Sequence, residues 1–369
     1  MGGVLPWDAR MPRMSVDLDL TTDVVALTGA LVDIESVSRN EQTIADAVEG
    51  ALQALPHLEV LRDGHTVVAR TSLGRDERVV IGGHLDTVPV NANFPSRLDG
   101  DLLHGLGSCD MKGGVAVALR LAATITAANR DLTYVFYECE EIEAEFNGLG
   151  RLARSRPGLL EADFAILMEP TNAVVEAGCQ GTMQVEVVLH GERAHSARSW
   201  RGVNAIHAAT PVLQRLLAYE PRQPVIDGLT YHEGLNAVGI TGGVAGNVVP
   251  DECRIAINHR FAPDRGVEDA EAHLRQVFEG FELKVLDSAP GALPGLDRPA
   301  AAAFVEQVGG EVAPKFGWTD VSQFAQLGVP AVNFGPGNPL LAHKQEEHVP
   351  VADLRRCEDA MTSWLARLP

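Results

Sequence analysis

Short apolar runs that alternate with helical patterns, broken once by an interval of period-two strands, constrain the fold of this chain more than any other feature. Residues 67–70, 79–81, 134–137 and 165–168 form apolar or β-branched runs of strand length. Residues 23–33 and 42–55 carry apolar side chains at helical spacing, and 113–128 is an alanine-rich helical stretch. Strand and helix in alternation predict an α/β unit built on a mostly parallel, mixed sheet with helices on both faces. The pattern then changes. Residues 183–189, 237–241 and 254–259 alternate polar and apolar around a helical segment at 204–219, which suits a smaller α+β unit with an antiparallel sheet. A Pro/Gly-rich stretch at 289–299 leads back to the αβ pattern of 301–308, 330–334 and 353–368. The second unit is therefore expected as an insertion: an N-terminal tail at 1–14, the first part of the main unit at 15–180, the inserted unit at 181–289 and the second part of the main unit at 290–369.

Composition narrows the functional classes. A chain of 369 residues with 46% hydrophobic content can build a core for each unit, and a formal net charge of -20 argues against binding nucleic acid or an anionic membrane surface, which recruit Lys/Arg-rich faces. No apolar run approaches the roughly 20 residues of a membrane span. Residues 1–14 lack the apolar core of a signal peptide. The expectation is a cytoplasmic protein with a loose tail, whose start could equally be Met11 or Met14. Cys109, Cys139, Cys179, Cys253 and Cys357 are odd in number and scattered, without CxxC spacing. They indicate neither a disulfide framework nor a thiolate metal site. A metal here must be held by histidine and carboxylate.

Such residues recur where strands end. His84 and Asp86 stand two apart after the run 79–81 and the Gly82-Gly83 turn, a spacing that reads as a metal ligand with its orienting carboxylate, or as a satisfied structural pair. Asp110, in the glycine-rich loop 105–114, is either a ligand or the N-cap of the following helix. That loop lacks the spacing of a phosphate-binding P-loop, and Lys112 stands out of its register. Glu140 and Glu141 follow the run 134–137. On an extended segment such neighbours point to opposite sides, so one can bind metal while the other faces a metal-bound water; the alternative is a solvated acidic turn. Glu169 ends the run 165–168 before Pro170, and His343 lies in a polar loop after 330–334. Taken together, two histidines, one shareable aspartate and two glutamates, each at a strand end or its loop, offer the imidazole and hard oxygen donors that suit two Zn²⁺ ions. A shared Asp would hold two ions about 3.5–4 Å apart, the arrangement of a hydrolytic centre.

His84-Leu-Asp86, Gly107-Ser-Cys-Asp110-Met-Lys-Gly-Gly, Glu140-Glu141, Glu169 and His343 resemble, in order and type, the co-catalytic zinc deacylases and peptidases of the M20 family. The likeness runs from about Val24 to Leu365. The segments 177–182, 191–198 and 246–251 look most like the branch of that family that removes succinate from N-succinyl-L,L-2,6-diaminopimelate, in its actinobacterial form. The resemblance implies a zinc-peptidase-like catalytic domain with an inserted lid and dimerisation domain. It implies that His84 and Glu169 bind one zinc, Glu141 and His343 the other, and that Asp110 bridges them. Co²⁺ or Mn²⁺ are implied as possible substitutes. Asp86 would orient His84, and Glu140 would be the general base for a water between the ions. The resemblance further implies a cis peptide after Asp110, a role for His195 in the partner subunit's active site, where it would stabilise an oxyanion, and contacts to substrate carboxylates from Asn247 and Arg260. Thr319 is read as a hydroxyl donor to the substrate, and Arg198, at a position where the family varies, as a further substrate contact. Arg260 also makes chemical sense, because a small anionic N-acyl amino acid entering an acidic protein needs a local guanidinium.

The implied reaction is hydrolysis of N-succinyl-L,L-2,6-diaminopimelate to succinate and the free diamine, in lysine and cell-wall precursor synthesis, by a homodimer joined through the inserted domain. Deacetylation of acetylornithine, general N-acyl amino-acid hydrolysis and carboxypeptidase action use the same ligand set. A catalytically silent dimeric binding protein is the reading from another class, and Glu140 beside a full ligand set argues against it.

Overall fold

The computed structural model describes residues 16–366; the expected tail at 1–14, with the alternative starts, lies outside the described residues. The chain forms two compact units. One comprises residues 16–162, Met168–Ala173 and 334–366, and the other Asp163–Leu167 with Val174–Asn333.

In the first unit the strands lie in the order Glu59–Asp63, Thr66–Arg70, Asp131–Tyr137, Arg78–His84. The last two run parallel, Arg78 opposite Asp131 and His84 opposite Tyr137. Val79, Val80, Ile81 and the whole of Asp131–Tyr137 are buried, so these strands read as continuous apolar runs and not as alternating ones. Helices Val24–Val32, Lys112–Thr124 and Val351–Ala366 pack against one another. A Cβ on Gly114 would overlap the Met168 carbonyl, so glycine is what lets the start of Lys112–Thr124 lie against the chain just before Glu169. That helix ends at Thr124, short of the expected 128, because Ile125 leaves helical geometry at φ -99°, ψ 78°.

The second unit contains Phe164–Leu167 parallel to Ala331–Asn333, and Val175–Ala177 parallel to Val312–Pro314. It also holds a four-stranded antiparallel sheet in the order Gly234–Gly242, Glu252–Phe261, Gly181–His190, Glu282–Ala289. The class is thus mixed α/β with separate antiparallel sheets. On one face of the four-stranded sheet, Met183, Val185, Val187 and Leu189 meet Cys253, Ile255, Ile257 and Phe261, and helices Thr210–Leu217 and Val267–Val277 cover them. Each such side chain contributes roughly 1.5–3 kcal/mol by leaving water. The helix expected at 204–219 is a 3₁₀ turn, His207–Ala209, followed by the shorter helix Thr210–Leu217 with Pro211 at its start. Proline has no N–H to continue an earlier helix but is well suited to begin one.

His259 occupies a core position in the alternation of Glu252–Phe261. It is fully buried, and both its ring nitrogens lack hydrogen-bond partners among the described residues. Burial pushes its pKa down to about 4, with Arg265, His273 and Arg222 adding to the effect and Glu233 opposing it. Tyr219 Oη lies 3.0 Å from His273 Nε2 on the same side. A histidine that is neutral when folded but titrates near 6.5 when unfolded supports the fold fully above that pH, and its support is lost as pH falls toward the folded value. Between pH 7.5 and 4.5 the parent chain is expected to lose about 2–3 kcal/mol more unfolding free energy than H259L. Urea unfolding at the two pH values measures this, and equal losses would contradict it. Among the described residues, no helix is long and apolar enough to cross a membrane.

Candidate metal centre

All the expected ligands fall in the first unit. The strand Arg78–His84 delivers His84 at its last position, 1% exposed. His84 Nδ1 lies 3.0 Å from the Asp86 carbonyl oxygen and 3.5 Å from the Asp86 carboxylate. The nearer oxygen is the main-chain one, so an Nδ1–H donated to it fixes the tautomer and leaves Nε2 for the centre. The Asp86 carboxylate has a further use: it accepts from the amides of Glu140 at 3.0 Å and Glu141 at 3.1 Å, and from the Ser38 hydroxyl at 2.7 Å. Although burial opposes ionisation, these donors and His84 hold it below the usual carboxylate range.

The glutamate pair is not on an extended segment. The strand Asp131–Tyr137 ends, Glu138 turns aside to Thr66 and Arg151, and Cys139 at φ +58° reverses the chain into a bend that carries Glu140 and Glu141. What aims the two side chains is the pair of amide bonds to Asp86, not strand alternation.

Asp110 is no helix cap. The helix begins at Lys112 with Met111 at the cap position and no side-chain cap bond, and the peptide from Asp110 to Met111 is cis. One Asp110 oxygen, Oδ1, lies 3.2 Å from His84 Nε2, while the other, Oδ2, lies 3.5 Å from His343 Nε2. His343, at φ +65° in its loop, also stands 2.9 Å from Glu141 Oε2. Donor atoms of His84, Asp110 and Glu141 lie within 4.8 Å of one another. Glu169 is buried two residues past Phe164–Leu167, and the Met168 amide donates to the Gly82 carbonyl at 2.9 Å, which sets Glu169 alongside the end of the His84 strand.

Carboxylates crowd around two imidazoles here, and burial acts on the same groups. Hydrogen bonds with Asp110 and Glu141 raise His343 to about 10 against the effect of burial. Burial would lower His84, but Asp110 and Asp86 outweigh it and raise it well above its ordinary value. Asp110 is held far below the carboxylate range by both histidines in spite of burial, while burial moves Glu141 upward. A divalent cation satisfies the same concentrated negative field through the same nitrogen and oxygen atoms, displacing protons as it binds. The donor set fits such ions.

The profile of peptidase family M20/M25/M40 matches residues 80–367. The chain belongs to that family. As an M20 member it is an amide hydrolase with a metal-dependent site. A DapE protein of Mycobacterium tuberculosis is 55% identical over 351 residues, covering 94% of this chain and 99% of that one. The succinyl-diaminopimelate desuccinylase of Corynebacterium glutamicum is 47% identical over 360 residues, covering 95% and 98%. A tripeptidase structure from Staphylococcus aureus matches with TM-score 0.76 at 22% identity, over 93% of this chain and 96% of that one, a likeness of fold.

The remaining expected residues of this M20 chain lie in the second unit. His195 and Asn247 are side by side: the Ser196 amide donates to the Asn247 carbonyl at 2.9 Å, and His195 pairs with Val248. His195 is exposed, and the Ala197 amide donates to its Nδ1 at 3.1 Å, which leaves Nε2 to carry the ring proton. Arg260 lies on Glu252–Phe261 opposite Thr182, and Arg198 is exposed in the 3₁₀ segment Ser196–Arg201. Thr319 departs from expectation. Its hydroxyl donates to Asn333 Oδ1 at 3.0 Å, so it offers a substrate lone pairs and not a proton. Two residues escaped the sequence reading: Ser38, which holds Asp86, and Glu347, buried behind Asp110. The only signal for Glu347 is a carboxylate four positions after His343.

Proposed function

We propose that this chain hydrolyses the amide bond of N-succinyl-L,L-2,6-diaminopimelate, giving succinate and L,L-2,6-diaminopimelate. Near-full-length identity to the Corynebacterium glutamicum desuccinylase carries this reading. Its metal would be two Zn²⁺ per subunit, with Co²⁺ or Mn²⁺ as substitutes: His84 and Glu169 hold one, Glu141 and His343 the other, and Asp110, with one oxygen facing each imidazole, is shared. Such ions supply Lewis acidity toward the scissile carbonyl and make water a stronger acid.

Glu140 takes a proton from the attacking water as its oxygen bonds to the acyl carbon, then delivers that proton to the amine nitrogen as the C–N bond breaks. Asp86 keeps Glu140 and Glu141 in place through their amides. Arg260 grips a substrate carboxylate, Asn247 and Arg198 add polar contacts, Thr319 accepts a hydrogen bond, and His195 offers its Nε2 proton to the oxyanion. We further propose a homodimer in which His195 serves the partner's site. Gly234–Gly242 is an edge strand of the four-stranded sheet, with Val238 64% and Ile240 53% exposed, an apolar edge suited to a second copy. Five free, buried cysteines suit the reducing cytoplasm.

The direct test is release of succinate by the zinc-loaded protein. Chelation is expected to abolish it and added Zn²⁺ to restore it. Full hydrolysis in excess chelator would contradict the metal assignment.

A further inference from the structure

Glu347 is a carboxylate with 1% exposure, on the loop that also carries His343. Its Oε1 accepts from two successive amides, Cys109 at 3.1 Å and Asp110 at 3.2 Å. Its own carbonyl accepts from the Gly105 amide at 3.2 Å. The loop it grips is intrinsically pliable: Gly105 and Gly107 adopt φ +148° and +80°. The backbone bonds of this loop, Leu106 to Asn93, Ser108 to Gly105 and Lys112 to Gly107, leave the amides of Cys109 and Asp110 to Glu347, the residue that links them to the loop of His343, whose Nε2 is 3.5 Å from Asp110 Oδ2. Zinc–ligand distances near 2.0–2.1 Å tolerate only a few tenths of an ångström of error.

We propose that Glu347 is a positioning residue that ties the Asp110 loop to the His343 loop and so sets the affinity of the second ion, the one held by Asp110, Glu141 and His343. The inference rests on the two-ion reading above. Its selectivity follows from the fold. Asp110 serves both ions, but the first keeps two further ligands, His84 and Glu169, set by the strand Arg78–His84 and the Met168–Gly82 hydrogen bond without Glu347, whereas the second depends on both loops that Glu347 joins. Glu347 Oε1 is committed to the two amides, so in this assignment it acts on the ion through Asp110 and not as a ligand.

Two variants separate reach from charge. E347D keeps the charge but withdraws the carboxylate by about 1.5 Å, whereas E347Q keeps an acceptor oxygen at the original reach. Metal-free full-length protein is titrated with Zn²⁺ by calorimetry, which resolves the two binding steps. E347D is expected to weaken the second step at least about tenfold, the usual size of an outer-shell effect, and to leave the first within about threefold. E347Q is expected to stay within about threefold of the parent at both steps. E347D matching the parent, E347Q as impaired as E347D, or equal weakening of both steps in E347D would each overturn the assignment while leaving the two-ion reading intact. A parent protein that takes up a single ion overturns both.

Discussion

Replacing Glu140 by glutamine is expected to lower kcat for amide hydrolysis by about 10³-fold while leaving two ions bound. Positioned proton transfer contributes roughly 10²–10⁴ to such reactions, and Glu140 would perform two transfers, one from water and one to nitrogen. Glutamine preserves the shape and the amide bond to Asp86 but cannot accept a proton. The separation of roles within the acidic run is structural. Glu141 faces His343 at 2.9 Å, as its proposed ligand role requires, whereas Glu138 is spent on Thr66 and Arg151, and Glu143 lies on the surface near Arg39. Steady-state kinetics together with zinc content per subunit check the prediction. Unimpaired hydrolysis with zinc in place would remove Glu140 from the base role. Loss of an ion would place it among the ligands.

Replacing Asp110 by alanine is expected to weaken both ions by more than about a hundredfold, exceeding the 10–100-fold of outer-shell changes, and to abolish turnover with them. Oδ1 and Oδ2 face different imidazoles, so in the proposed two-ion arrangement one side chain would complete both ligand sets. His343→Ala removes a ligand from one set only, and the ion held by His84 and Glu169 should persist in it. Calorimetric titration of the two variants measures the contrast. One ion bound at parental affinity in D110A would make Asp110 a ligand of a single site.

Every residue of the proposed ligand set was named from the sequence, because each ends a strand or lies in the loop beyond it, and the end of a short buried run is easy to locate. The devices that aim those ligands were not. Asp86 acts through the amides of residues 54 and 55 positions away, and Glu347 through amides 237 and 238 away; backbone partners leave no trace in residue type. The bend at Cys139 was invisible for a similar reason, since a non-glycine residue at φ +58° carries no compositional mark. Strand Glu282–Ala289 was missed because its register shifts between Val285 and Asp287, which destroys the period-two pattern, and Leu286 is 57% exposed. Thr319 was read as a donor because residue type alone cannot show that Asn333 already takes its proton.

The central claim is the choice of acyl group and amine, and the ligand shell cannot make that choice, because specificity lies in contacts to both ends of the substrate. The most direct measurement compares kcat/KM of the zinc-loaded protein for N-succinyl-L,L-2,6-diaminopimelate and N-acetylornithine under identical conditions. If Arg260 grips a second carboxylate on the acyl arm, as proposed, the succinyl substrate should be favoured by at least about 100-fold. Equal or faster turnover of acetylornithine would contradict the account.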